Sequence, residues 1–348
     1  MLSPIGERLV AARKMAGVSL QDLADRLDID ITRQALNKYE KGTARPSGET
    51  LVKIAAVLGV PVDYFYRTST VSLGPVDFRK QSHLKASDIE RIKSECSDFL
   101  ERCLELEKLL NADSGFKNPL TPAQRRIKTG NDIEAAAEAV RSAWQLGSSP
   151  VPSVITMLED NRIRVYETDA PDSFVGMSTW VGDIPVIVLN RSMNTQRKRF
   201  TALHELAHLI LDFSGKMEKE IETFCHAFAG AFLLPMKQFI EWFGSKRTTM
   251  SVPELIMIDE HYGISVQAIM ARAHHLGLIT DTFYRDFNFW LSKSGKKKNE
   301  FGKYNVKETP QRFDRLLRKA VTEGIISESK TLSLSNGAFR AHESEVIS

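Results

Sequence analysis

Two histidines four residues apart, with a glutamate directly after the first, are the side chains of this sequence best suited to chemistry: His204-Glu205-Leu206-Ala207-His208. On a helix, positions i and i+4 share a face with about 6 Å between their Cβ atoms, so both imidazoles can reach one tetrahedral Zn²⁺. Glu205 projects beside them, where it can take a proton from the metal's water. The surrounding residues read as helix, since Phe200, Leu203, Ala207 and Ile210 recur at helical spacing. A catalytic zinc needs a third protein ligand and an open fourth position. The next helical pattern, over 218–235, supplies Glu222 next to an apolar stripe of Ile221, Cys225, Phe228 and Phe232. Glu222 ranks first as third ligand, ahead of Glu218, Cys225 and His226. The ordinary alternative is two surface histidines on an amphipathic helix.

The elements that must position these residues follow from periodicity. Arg162 to Glu167, Phe174 to Val181 and Ile184 to Asn190 carry the β-branched, alternating or continuously apolar patterns of strands, which implies a small sheet just before the histidine helix. Asp132 to Leu146 and Val151 to Asp160 read as helices ahead of that sheet, and helices resume from Gln196 to Leu278. An α+β domain over 119–280 is the result, with Pro119 to Pro122 at its start. His261, Tyr262 and Arg272 are the downstream candidates for a donor to a developing oxyanion. Lys293 to Lys303 reads as a basic, solvated loop and Pro310 to Leu334 as helical, within a C-terminal region of 281–348.

At 348 residues, 42% hydrophobic and 26% charged, the chain is long enough for two or three domains with cores of their own. Three cysteines without a CxxC pair make neither a disulfide framework nor a cysteine zinc site. No apolar run approaches the roughly 18 residues that span a bilayer. Glu7, Arg8, Arg13 and Lys14 break any leader-like apolar run, so a cytoplasmic location without membrane contact is expected.

Residues 1–70 hold five short helical patterns: Ile5 to Met15, Ser19 to Leu27, Thr32 to Lys41, Ser47 to Leu58 and Val62 to Tyr66. Ser19, Thr32 and Ser47 suit N-caps, while Gly17, Gly42 and Gly59 suit left-handed C-terminal positions. A segment over 71–118 follows as linker and long helix. Ile89, Ile92, Cys96, Phe99, Cys103, Leu106 and Leu110 form an a/d stripe there, which either pairs with a second copy in a homodimer or packs on its own protein.

The N-terminal segment resembles the Cro/repressor-type (XRE) helix-turn-helix family. That resemblance rests on Arg8-Leu-Val-Ala-Ala-Arg13, Ser19-Leu-Gln-Asp-Leu-Ala24, Leu36-Asn-Lys-Tyr-Glu-Lys-Gly42, Pro46 and Leu51-Val-Lys-Ile-Ala-Ala-Val-Leu-Gly59. It implies a DNA operator as partner, with Thr32, Arg33, Gln34, Asn37 and Lys38 facing the major groove. Asp28-Ile-Asp-Ile31 departs from the family by being about two residues longer than its usual turn and by lacking its glycine.

Residues 125–280 resemble the ImmA/IrrE metallopeptidases, through Gly176-Met-Ser178, Pro185-Val-Ile-Val-Leu-Asn190, Arg199-Phe-Thr, His204-Glu-Leu-Ala-His208, Glu222, Phe228-Ala and Leu233-Leu-Pro235. The resemblance implies a zincin-like (gluzincin) fold, Zn²⁺ on His204, His208 and Glu222, Glu205 as general base, and a helix-turn-helix repressor as protein substrate. The expected architecture is therefore multidomain: an all-α helix-turn-helix domain, a helical linker, an α+β peptidase domain and a helical tail. The expected function is a transcription regulator that relieves repression under stress by cleaving a repressor, in cis or in trans. The other reading is a helix-turn-helix regulator or antitoxin whose peptidase-like domain senses or dimerises without hydrolysis.

Overall fold

In the computed structural model, residues 4–67, 71, 73, 84–112, 115–294, 301–337 and 339 are described. Most of the expected linker at 73–85 and most of the basic loop at 293–303 lie outside them. Helices α1 (Pro4–Met15), α2 (Leu20–Arg26), α3 (Arg33–Glu40) and α4 (Gly48–Leu58) precede a 3-10 turn at Val62–Tyr66. The hydroxyls of Ser19, Thr32 and Ser47 each accept the backbone N–H three residues on, at 3.1–3.2 Å, and so start α2, α3 and α4. Leu9, Leu23, Leu36, Leu51, Ile54 and Phe65 close a separate small core. Gly6 lets α1 cross the end of α3, because a Cβ there would lie 2.4 Å from the Glu40 carbonyl oxygen.

The long helix α5 (Ala86–Leu109) leads to α6 (Pro122–Arg125), α7 (Gly130–Ala143) and α8 (Val154–Asp160). Strands β1 (Arg164–Thr168), β2 (Gly176–Val181) and β3 (Ile184–Asn190) form one sheet in the order β1-β3-β2, with β3 parallel to β1 and antiparallel to β2. Strand β3 is apolar nearly throughout because both of its faces are covered. Ile187 and Leu189 join the large core of the domain, whereas Val186 and Val188 face Ile92, Cys96 and Leu100 of α5. The α5 stripe offered above to a second copy is thus spent inside the chain, and Leu106 continues it against Leu317 and Leu334. Burying this apolar face on the sheet supports the other reading of the stripe, packing on its own protein, over pairing with a second copy. Burial also pushes the Cys96 thiol up to about 12, so it stays protonated and inert.

After the sheet come α9 (Thr195–Ile210), α10 (Glu218–Leu233), α11 (Met236–Phe243), α12 (Val252–Tyr262), α13 (Val266–His275) and α14 (Asp281–Lys293). The chain ends in α15 (Arg312–Thr322) and α16 (Glu328–Leu334). Residues 301–312 are sewn into the body. Glu308, 3% exposed, accepts the N–H groups of Val154 and Ile155 at the start of α8, both at 2.9 Å, and pairs at 2.5 Å with Arg199 of α9. Arg199 is wholly buried and also donates to the carbonyls of Val151, Tyr262 and Gly263, with Tyr304 beneath its guanidinium. Glu308→Ala strands that guanidinium without its carboxylate, so a loss of about 3–5 kcal/mol is expected in denaturant unfolding of the full chain.

Candidate metal centre

Helix α9 begins behind the Asn194 cap, whose side chain accepts the Arg197 N–H at 2.8 Å, and runs beneath the sheet with Ala202, Leu203, Leu206 and Ala207 in the core. That packing turns His204 and His208 toward α10 and leaves Glu205 beside β2. His204 Nε2 lies 3.2 Å from His208 Nε2, and Glu222 of α10 brings one carboxylate oxygen to 3.3 Å from the first and the other to 3.2 Å from the second. Donor atoms around a tetrahedral Zn²⁺ with bonds of about 2.0–2.1 Å stand about 3.3 Å apart. Two imidazole nitrogens and two carboxylate oxygens thus stand at the spacing that one small divalent cation requires, and these three side chains fit the metal that the spacing implies, with a ring nitrogen of His226 also within 4.8 Å of donor atoms of His204 and Glu222.

The remaining ring nitrogens differ. His208 Nδ1 meets the Cys225 sulfur at 3.6 Å, a contact that orients the ring from α10. His204 Nδ1 is buried without a partner. Of the other ligand candidates, Glu218 is an exposed residue at the start of α10, and Cys225 touches the centre only through His208. His226 is close: its ring sits 4.4 Å from that of His204, and its Nδ1 lies 2.6 Å from the Glu222 carbonyl oxygen. A carbonyl only accepts, so the His226 proton sits on Nδ1. Partial desolvation and the neighbouring His204 hold His226 below the usual imidazole range.

Glu205 is 8% exposed, and its Oε2 accepts the Ser178 hydroxyl of β2 at 2.7 Å. Ser178 was legible only as part of a family motif; nothing in its local spacing pointed to the glutamate. Gly176, two residues earlier, explains how close β2 comes to α9, since a Cβ there would lie 2.8 Å from Thr201 Cγ2.

The downstream oxyanion-donor candidates are committed elsewhere. Arg272 binds Glu134 through two bonds of 2.7 and 2.9 Å and the Leu234 carbonyl at 2.7 Å. His261 stacks on Trp242, with 4.6 Å between ring centroids, and Tyr262 is buried in the core. Sequence order brought them near α10, but buried polar groups are claimed by the nearest acceptor or packing surface.

At the other end of the chain, Thr32, Arg33, Gln34 and Lys38 of the α3 region are exposed and Asn37 is half-buried. The opposite face of α3 is held by buried Leu36 and by Glu40, which pairs with Arg13 at 2.7 Å. Asp28 and Asp30 are exposed in the turn before α3, while Ile29 and Ile31 rest on the small core.

Residues 9–65 match the family model described as Helix-turn-helix, and residues 158–274 match the M78 peptidase model described as IrrE N-terminal-like domain. Over 62 residues, 18% of this chain, the sequence is 45% identical to an SPbeta prophage-derived uncharacterized HTH-type transcriptional regulator, YonR, of Bacillus subtilis, covering 56% of that protein. It is 40% identical, again over 62 residues and 18% of this chain, to an uncharacterized HTH-type transcriptional regulator of Sinorhizobium medicae, covering 43% of it. The match spans about half the length of these relatives. Among the described residues no helix is long and apolar enough to cross a membrane. The chain joins a repressor-type helix-turn-helix domain to an IrrE N-terminal-like domain of the M78 peptidases.

Proposed function

We propose that this protein is a cytoplasmic DNA-binding transcription regulator whose second domain is a zinc-dependent, zincin-like endopeptidase acting on a helix-turn-helix repressor, either its own N-terminal domain or another protein's. The observation that carries this reading is the convergence of the two imidazole nitrogens of His204 and His208 on the two carboxylate oxygens of Glu222, beside a glutamate held in place by Ser178. In the peptidase step, His204, His208 and Glu222 would hold Zn²⁺, which when bound would supply Lewis-acid polarisation of the scissile carbonyl and a more acidic water. Glu205 removes a proton from the attacking water as its oxygen bonds to the carbonyl carbon. The same carboxyl then gives that proton to the amide nitrogen as the C–N bond breaks. Ser178 donates to one Glu205 oxygen, which orients the carboxylate and leaves the other oxygen for the proton. Thr32, Arg33, Gln34, Asn37 and Lys38 read the operator, so cleavage of a repressor-type domain removes it from DNA and relieves repression under stress.

Glu205→Gln keeps the shape of the site and loses the base, so cleavage of helix-turn-helix substrates, followed by intact mass, is expected to fall by about 10²-fold or more. Persistent cleavage would refute the assigned base. Absence of any fragment from the unmutated, zinc-loaded chain favours the non-hydrolytic sensing reading instead. Glu222→Ala is expected to lower zinc content from one ion per chain toward none, measured by atomic emission after dialysis. Arg33→Ala is expected to weaken operator binding by about 1–3 kcal/mol in a mobility-shift titration at fixed salt.

A further inference from the structure

A cavity of about 960 Å³ lies between the end of β3, the first turns of α9, and helices α10 and α13. It borders the donor triangle, because His226 and Phe200 line it and His226 rests 4.4 Å from the His204 ring. Phe174, Phe200 and Met193 give it apolar walls. Its volume is that of a ligand cleft and accommodates several residues of a peptide.

One polar group in that lining is unsatisfied. Gln196 is 2% exposed, and its Nε2 donates to Asp259 Oδ1 at 3.0 Å. A carboxylate only accepts, so the amide orientation is set by its partner and the other end must be the carbonyl oxygen. That Oε1 is buried with no hydrogen-bond partner. A buried acceptor carries a desolvation penalty that an incoming donor relieves. The carboxylates of Asp259 and Asp172 belong to the same lining; of its two arginines, Arg272 is neutralised by its two bonds to Glu134, and Arg197 is exposed to solvent.

We propose that this cavity is the specificity subsite of the peptidase site, and that it takes a substrate side chain with an apolar stem and N–H donors at its tip: arginine or lysine. The stem lies on the aromatic walls while the tip donates to Gln196 Oε1. The inference rests on the peptidase reading above and narrows it, since repressor-type proteins carry such residues on the surfaces that meet phosphate. Cleavage then falls within or beside a basic, DNA-contacting segment of the substrate.

The test uses the full-length Glu205→Gln protein, so that peptides bind without being cut. Acetylated, amidated alanine pentapeptides with arginine, lysine or norleucine at the centre are titrated calorimetrically. The arginine and lysine peptides are expected to bind about tenfold more tightly than the norleucine peptide, as one buried acceptor gaining a donor implies. Gln196→Leu in the same background is expected to abolish that difference. Equal affinity for all three peptides overturns the proposal, whether or not the Gln196 variant folds, because that comparison needs only the native cavity. Loss of hydrolysis as a property of the unmutated chain, with the arginine preference intact, overturns the peptidase reading and leaves the subsite standing.

Discussion

Arg199 is the constraint around which the IrrE N-terminal-like half of this molecule is arranged. A guanidinium with no exposed surface must find carbonyls or carboxylates for its donors, and it finds them on segments far apart in sequence: the turn before α8, the end of α12 and the C-terminal strap at Glu308. Because Arg199 sits five residues, about one and a half helical turns, before His204 on the same helix, whatever fixes its position also fixes the start of that motif. Gly263 shows how tight this arrangement is. Its φ of +62° and a Cβ position that would fall 2.8 Å from Arg199 Nε leave room for glycine alone, and its carbonyl is one of the acceptors.

Around that anchor the site is assembled by three kinds of contact with different energetics. Apolar burial of Ala202, Leu203, Leu206 and Ala207 against β3 sets the rotation of α9 and so the direction of both histidines. Polar contacts from neighbouring elements then set individual side chains: Ser178 for Glu205, Cys225 for His208, and the Glu222 backbone for His226. The convergence of two imidazoles and a carboxylate at 3.2–3.3 Å is the costly part, since lone pairs and partial charges of one sign face each other there. A cation at the centre would offset that cost and make a ligand set of a repulsive cluster.

The helix-turn-helix domain is tied to this body rather than tethered loosely to it. Helix α1 lies along α5, with Arg8 pairing to Glu101 at 2.6 Å and Lys14 to Glu90 at 2.7 Å. Arg67 reaches Ser333 of α16 at 2.8 Å. The joint is polar: the Arg8 guanidinium also lies over the Tyr64 ring at 5.1 Å, and Asp98 Oδ1 is buried there without a hydrogen-bond partner. Helix α3 keeps its Arg33, Gln34 and Lys38 exposed in this arrangement, so docking does not consume the surface that would meet DNA.

Much of this was written locally in the amino-acid order. The caps at Ser19, Thr32 and Ser47, the strand pattern of Ile184 to Asn190, and the four-residue step from His204 to His208 each depend on neighbours a few positions away, where periodicity and capping chemistry act directly. Glu222 could be ranked ahead of Glu218 because a helical stripe defines which side of α10 is inward. Contacts across long loops left no such trace. The Ser178 hydroxyl on Glu205, the Glu308 partner of Arg199 and the burial of the α5 stripe on the sheet became visible only once strands and helices from opposite ends of the chain were brought together. The same step reassigned His261, Tyr262 and Arg272, since a polar side chain answers to the nearest unsatisfied group in space, and sequence spacing beyond one helix or strand does not encode that distance.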